Sequence, residues 1–332
     1  MGSASDSRLA LEYRRGLHLV GTVLWFDSVR ARDLSFVSHA HVDHLAPHRK
    51  ILATPATARL VRHRIGETAA LVSPFGRVFS IGGMTIELFS AGHVLGSAQI
   101  RVSLGGEQLV YTGDLNVAPN RTCEPHETRK CDVLVIESTF GHPRYKFPAR
   151  EEVEAAVARF ATDTLARGET PAFLAYSLGK AQEVARILGD AGIPTRAHRA
   201  AYEIVEIYRE MGVDIPLCKA LAGRAARGEA VIIPPGGRRG GRTIDTATHG
   251  VKVAAVTGWA VDASTRYRMK VDEAIPLSDH ADFDGLMSYV RAVAPKRVFV
   301  MHGFCEDFSR ALRAEGFDAA PLIPPKQLEM FA

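Results

Sequence analysis

Ser38-His39-Ala40-His41-Val42-Asp43-His44 places three imidazoles and one carboxylate at the end of the apolar run Leu34–Ser38. Imidazole nitrogen and carboxylate oxygen suit zinc, and also manganese or iron. On an extended segment His39 and His41 share one side. Asp43 and His44 follow where the chain turns toward a helix, so they point elsewhere. That arrangement supplies two neighbouring metals rather than one. With 13 histidines in 332 residues, chance is a poor account of the cluster.

Two metals need further ligands, and strand ends supply candidates. His93 lies in Ser90-Ala91-Gly92-His93-Val94-Leu95-Gly96-Ser97, Asp114 in Tyr111-Thr112-Gly113-Asp114-Leu115-Asn116, and His302 in Val300-Met301-His302-Gly303. Each follows an apolar strand beside glycine. Singly, each is more simply read as a satisfied core or loop residue.

Around these motifs, residues 17–140 read as mainly strands: Leu17–Phe26, Leu34–Ser38, Thr85–Ser90, Gln99–Leu104, Gln108–Thr112 and Asp132–Ile136. Gly105-Gly106 marks a hairpin. One helix is expected at Pro55–Arg64, with Thr54 as N-cap before a first-turn proline. After Gly141–Pro148 the texture changes. Helices are expected at Arg150–Ala166, Gly179–Leu188 and Ala200–Met211, with strands at Ala172–Ala175 and Val231–Ile233. Gly236–Arg242 is too glycine-rich to be regular. Strands resume from Val251, followed by a helix at Asp282–Val293, a strand at Val298–Met301 and a helix at Phe308–Glu315. The simplest reading is a β-rich domain interrupted by an α/β block.

Composition narrows the class. Hydrophobic residues are 46% and charged residues 23%, as in a globular protein and unlike a disordered chain. The longest early apolar stretch, Gly16–Phe26, is far short of the ~20 residues of a membrane span, and it follows a polar start with no cleavage site after it. Four cysteines without C-x-x-C spacing read as reduced thiols in a cytoplasmic protein. Net charge is only +4, but Lys219, Arg224, Arg227, Arg238, Arg239 and Arg242 are opposed by Glu229 alone. Such a stretch suits a polyanion or is a solvated loop.

As a set, these motifs resemble the metallo-β-lactamase fold superfamily. The resemblance implies an α/β fold, an αββα sandwich, with a dinuclear site for two zinc ions, manganese being the alternative. It carries His39, His41 and His93 to one metal and Asp43, His44 and His302 to the other, with Asp114 bridging. Asp27 matches the acidic residue that orients the ligand loops from behind. Three more segments, Val135–Gly141 with Glu137, Leu277–Asp282 with His280, and the one closing at His302, resemble motifs A, B and C of the β-CASP nucleases. That group carries an inserted α/β domain. The expected division is 8–142 and 256–332 for the metallo-β-lactamase domain and 143–255 for the β-CASP domain.

The resemblance implies metal-assisted phosphodiester hydrolysis. His280 would serve the leaving oxygen, Glu137 would orient it, and Asp43 would orient the attacking water as well as bind metal. Ala175-Tyr176-Ser177-Leu178-Gly179-Lys180 joins a strand to a helix, where a hydroxyl, helix-start N–H groups and a lysine make a phosphate cradle. Tyr176, Ser177, Gly179 and Lys180 resemble the segment by which DNA cross-link-repair members hold a 5′-phosphate. RNA-processing members more often carry arginine at the lysine position. The histidine at 302 is commoner in those RNA members, yet the surrounding segments look most like short bacterial exonucleases associated with DNA ligase. No accessory RNA-binding module is expected, with 38 residues before His39 and 30 after His302. The expectation is therefore a 5′-to-3′ DNA exonuclease with a role in repair, a functional link to a DNA ligase, no membrane, and backbone contacts from Arg238, Arg239 and Arg242. The alternatives are an RNA-processing β-CASP ribonuclease, a non-catalytic nucleic-acid-binding scaffold, or another hydrolase of the fold acting on a thioester or lactam.

Overall fold

The computed structural model describes residues 9–14, 16–235 and 250–322. The chain divides into two compact units. One comprises residues up to Val117, Glu124–Tyr145 and the chain from His280; the other comprises Ala118–Cys123 and Lys146–Asp279.

The first unit holds two sheets of six and seven strands. The first sheet runs in chain order: Leu11–Tyr13, Leu17–Leu19, Leu24–Phe26, Leu34–Phe36, Ile51–Ala53 and Ala70–Val72. The second is ordered Ala319–Pro321, Arg297–Gly303, Val133–Ser138, Glu107–Tyr111, Ala98–Leu104, Met84–Ser90 and Val78–Ile81. The two sheets pack face to face. Leu17, Leu24, Phe26 and Phe36 meet Leu88, Ile100, Val102, Tyr111, Val133 and Val135 in one core.

Strand periodicity sorts the rest. Val133 and Val135 face that core, whereas Leu134 and Ile136 face the helices Phe283–Val293 and Cys305–Ala314 through Leu286, Val290, Phe308 and Leu312. Helix Pro55–Ile65 packs on the first sheet. This is the layering of an αββα sandwich.

Local signals explain the element ends. Thr54 caps Pro55–Ile65, its hydroxyl accepting from the Thr57 N–H, and proline opens the first turn. Gly105 and Gly106 have φ of 60° and 84°, the geometry a two-residue hairpin requires between Ala98–Leu104 and Glu107–Tyr111. Helix Arg150–Ala166 has the bounds its apolar periodicity predicts.

Direction matters most for function. Met84–Ser90 is antiparallel to Ala98–Leu104, which is antiparallel to Glu107–Tyr111, which is parallel to Val133–Ser138, itself parallel to Arg297–Gly303. Four strands thus point the same way. Their C-terminal ends release His93, Asp114, Glu137 and His302 along one edge.

The second unit is built on one parallel six-stranded sheet: Cys218–Ala220, Thr195–Ala197, Ala230–Ile233, Thr170–Leu174, Val251–Val256 and Glu273–Ile275. The last of these strands lies in the stretch 256–279, which the sequence assigns to the first domain. Ala254–Val256 pairs with Glu273–Ile275, and that pairing draws the stretch into the second sheet. No described helix is long and apolar enough to cross a membrane. None of the four cysteines is in a disulfide.

The Thr54 hydroxyl also donates to Gly96 O at 2.7 Å. Thr54→Ala removes both bonds and is expected to lower stability by about 1–2 kcal/mol, at the upper end for an N-cap. Chemical denaturation of the two proteins checks this.

Candidate metal centre and active site

The cluster begins where strand Leu34–Phe36 ends. Ser38 O accepts from Ala98 N at 2.8 Å, which pins the segment between the two sheets. Gly113, at φ 55°, lies so close to Ser38 that a Cβ there would sit 2.5 Å from its side chain. Asp114 can therefore approach the histidines. Val42–His44 then forms one 3-10 turn, which separates the directions of His41 and His44.

One oxygen gathers the cluster. Asp114 Oδ2 lies 3.4 Å from His39 Nε2, 3.5 Å from His44 Nε2 and 3.6 Å from His93 Nε2. His280 Nε2 is 3.9 Å away. His41 Nδ1 is 3.1 Å from His93 Nε2, and His39, His41, His93 and Asp114 present ligand atoms all within 4.8 Å of one another. The His302 ring stands 5.8 Å from that of His44. The Asp43 side chain is largely exposed, with Oδ2 3.9 Å from His44 Nε2.

These residues fit metal ions. His39 Nε2 is buried and makes no hydrogen bond. Burial first, then the crowd of neighbouring imidazoles, pushes His39 far below its ordinary pKa, so it presents a neutral lone pair. Burial also pushes the Asp114 carboxyl up, with His44 opposing and Glu137 adding to the rise. A set of imidazoles closing on a buried carboxylate oxygen is the donor chemistry of zinc.

Asp27 holds the arrangement from behind. It is buried and takes the left-handed φ of 42°. Its carboxylate accepts from Ser38 N (2.7 Å), Ser38 Oγ (2.5 Å), Tyr111 Oη (2.8 Å) and His44 Nδ1 (3.0 Å). Burial would raise its pKa, but His44 and Ser38 outweigh burial and hold it below the usual carboxylate range. Ser38 Oγ also lies 2.9 Å from His39 Nδ1. Ser38 and Tyr111 are functional contacts that the sequence alone does not single out, since nothing in the motif marks a tyrosine 84 residues from its aspartate.

Glu137 repeats the design. It is buried and accepts from Leu115 N at 2.7 Å and from the Thr139 hydroxyl and N–H. Its two oxygens lie 2.8 and 3.1 Å from His280 Nδ1. Burial opposes its charge, yet His280 and these donors hold it well below its ordinary value. Glu137 thus fixes the His280 proton on Nδ1 and turns Nε2 toward Asp114.

The cradle residues lie within the second unit. Tyr176 is exposed and Ser177 half-buried, while Gly179 and Lys180 are buried. Gly179 N donates to Gln182 Oε1 at 2.8 Å, so that helix-start N–H is already capped. Lys180 Nζ is paired with the buried carboxylate of Asp279, and sits 5.3 Å from the Tyr176 ring centroid. Lys180 is therefore not the freely offered cation that the sequence leads one to expect. A nearly buried ammonium requires a counterion, and Asp279 supplies it. Arg238, Arg239 and Arg242 lie outside the described residues.

Known proteins share parts of this chain. A family model described as "Zn-dependent metallo-hydrolase RNA specificity domain" matches residues 266–320. A "Probable DNA ligase" of Opitutus terrae is 36% identical over 323 residues, covering 96% of this chain and 32% of that protein. An "RNase J-like protein" of Methanocaldococcus jannaschii is 29% identical over 187 residues, 48% of this chain and 44% of its own. The "DNA cross-link repair protein SNM1" of Arabidopsis thaliana is 26% identical over 185 residues, 52% of this chain and 38% of its own. The chain thus spans 32–44% of the length of these curated relatives. A crystal structure of a protein of unknown function from Enterococcus faecalis shares the fold, with a TM-score of 0.61 at 12% identity over 88% of this chain and 79% of its own.

Burial acts to lower the His44 pKa, but Asp114 and Asp27 raise it to about 10. At pH 7.5 the ring is therefore protonated, and a metal taking Nε2 must displace that proton. Zinc binding should release at least one proton at pH 7.5, and affinity should fall as pH is lowered. Titration calorimetry in buffers of different ionisation enthalpy reads this directly. Zero release would remove His44 from the ligand set.

Proposed function

The chain belongs to the β-CASP nuclease group of the metallo-β-lactamase fold, and on that premise we propose that it is a dinuclear metal-dependent 5′-to-3′ DNA exonuclease. The observation that carries hydrolysis is the convergence of four imidazole Nε2 atoms within 3.4–3.9 Å of Asp114 Oδ2, one of them that of His280, whose Nδ1 is hydrogen-bonded to Glu137. His39, His41 and His93 would hold one zinc, Asp43, His44 and His302 the other, and Asp114 both. Bound there, the metals would activate water and neutralise charge on the phosphoryl oxygens. Manganese has the same donors available.

The remaining chemistry belongs to side chains. His280 presents Nε2 to the reacting phosphate and gives a proton to the departing oxygen. Glu137 keeps the other ring nitrogen protonated and stabilises the imidazolium. Asp43, exposed at the tip of its turn, orients water. His280→Ala should retain the metal content of the parent, because Glu137, not a metal, holds that ring. It should lose about 10²- to 10⁴-fold in cleavage rate, the usual worth of a general acid. A variant that loses metal instead would make His280 a ligand. Metal analysis and cleavage kinetics on one preparation decide between them.

DNA is favoured by the similarity that runs along 96% of this chain, which is to the protein named as a DNA ligase. The family description of residues 266–320 and the RNase J-like relative favour a second reading, an RNA-processing nuclease. End recognition rests on Tyr176 and Ser177 at the start of helix Lys180–Asp190, where a terminal phosphate offers more charge and more free oxygens than an internal diester. Lys180→Ala is a poor probe of it, since the change also removes an ion-pair partner of the buried Asp279 carboxylate. Ser177→Ala is the better variant. A 5′-phosphorylated DNA strand should be degraded faster than its 5′-hydroxyl twin and its RNA counterpart, with Ser177→Ala narrowing the phosphate preference. Equal rates on the two DNA ends, or ready cleavage of circular single strands, would refute end recognition. A faster RNA substrate would establish the second reading.

A further inference from the structure

We propose that His142, Arg144 and Phe304 form a stacking seat for the unpaired nucleobase next to the phosphate being cut. The inference rests on the nuclease reading and adds the recognition of a base to it. Rings run outward from His280 in contact with one another. The Phe140 ring centroid is 6.1 Å from His280 and 5.3 Å from Tyr145. Tyr145 is 5.2 Å from Phe304, which is 5.6 Å from His142. Phe140 and Tyr145 are buried, so they form a floor. Phe304 and His142 are half-buried, and Arg144 is exposed at the rim.

Arg144 is laid over this surface. Its Cζ is 4.7 Å from the Tyr145 centroid and 5.5 Å from that of Phe304, and Nη2 donates to Tyr145 Oη at 2.7 Å. Its own N–H donates to His142 Nδ1 at 3.1 Å, which places the His142 proton on Nε2. The surface thus offers planar faces, a cation and an N–H donor. That combination suits a base with a π-face and polar edges better than an aliphatic or acidic group. Its place in the chain also fits. Phe304 follows His302 by one glycine, and Gly303 can only be glycine there: φ is 71° and a Cβ would meet Ser138 O at 2.2 Å. Phe304 N donates to Ser138 O at 2.8 Å, so the ring is fixed relative to the metal-ligand strand. A base seated here belongs to a nucleotide bordering the reacting phosphate. Stacking reads no sequence, so the seat would select unpaired ends rather than particular bases.

The test uses two readouts. A phosphorothioate-protected single strand carrying 2-aminopurine at its second nucleotide should lose fluorescence on binding the parent protein. Arg144→Ala and Phe304→Leu should restore most of that emission in the bound complex, and Phe304→Tyr should quench as the parent does. Arg144 is exposed, so its variant keeps the test informative if Phe304→Leu fails to fold. In the kinetic arm, an abasic nucleotide at that position should lower kcat/KM of the parent about 5- to 150-fold, the worth of one base–aromatic stack. Arg144→Ala should cut both strands at similar rates. Unchanged emission on binding, or an abasic strand cut by the parent as fast as the intact one, overturns the seat. A protein that quenches 2-aminopurine yet hydrolyses neither strand overturns the nuclease reading and leaves the seat standing.

Discussion

The buried carboxylate of Asp27 is the constraint on which the first unit's chemistry depends. It collects four donors from three places in the chain: the strand end at Ser38, the strand residue Tyr111 and the turn residue His44. A carboxylate out of water is costly unless its lone pairs are filled. Here all four hydrogen bonds come from groups that must be held in place for another reason. Ser38 sets the start of the ligand segment and adjoins His39 Nδ1; His44 Nε2 faces Asp114; Tyr111 leads into Gly113 and Asp114. The strained φ of Asp27 is one sign that the surroundings over-determine its position. Desolvation, which would destabilise this anion alone, is offset by the same bonds that orient the imidazoles.

Glu137 carries the same logic to His280. Both anions lie one layer behind an imidazole, and both bind its Nδ1, leaving Nε2 directed at Asp114. The consequence differs because the rings do. His44 is buried between two carboxylates, so its ring is placed to give up a proton to a cation. His280 is partly exposed, so its Nε2 can exchange protons with solvent and, on the proposed reading, with substrate. On the proposed reading, one geometric device yields a ligand in one place and an acid in the other, with solvent access deciding which.

What is legible in the sequence follows from distance along the chain. His39 to His44 declare themselves because their spacing is local and alternation on an extended segment is simple. Helix Arg150–Ala166 is legible because Val153, Val157, Phe160 and Ala161 recur at helical spacing, and the Gly105-Gly106 hairpin because only positive φ suits that turn. His93, Asp114, Glu137 and His302 are readable as strand-end residues, but their convergence depends on four strands sharing a direction, and no strand states its direction alone. Asp279, 99 residues beyond Lys180, shows the limit. The motif reveals a lysine at a helix start, yet burial decides that it needs a counterion, and burial is a property of the folded chain. The pairing of Glu273–Ile275 with Val251–Val256 is hidden for the same reason.

After a brief excursion at Ala118–Cys123, the chain makes its long exit from the first unit after Tyr145 and returns at His280. Glu137 precedes the exit, and His280 is the first residue after the return. Their hydrogen bond therefore closes the loop formed by the interposed unit. The entropy of closing a loop grows only logarithmically, at about 0.6 kcal/mol for each doubling of length. A long interposed segment thus adds little to what a short one would cost. A folded insert with neighbouring ends lowers that cost further, because its termini are already close. The parallel pairing of Val133–Ser138 with Arg297–Gly303 then secures both flanks of the junction. Placing His280 at that junction has a consequence: Glu137 orients it only when the chain returns in register. Of the proposed metal ligands, His39 to Asp114 precede the exit and His302 follows the return. The proposed acid and one proposed ligand thus both depend on the return, which ties the interposed segment to the site through chain connectivity.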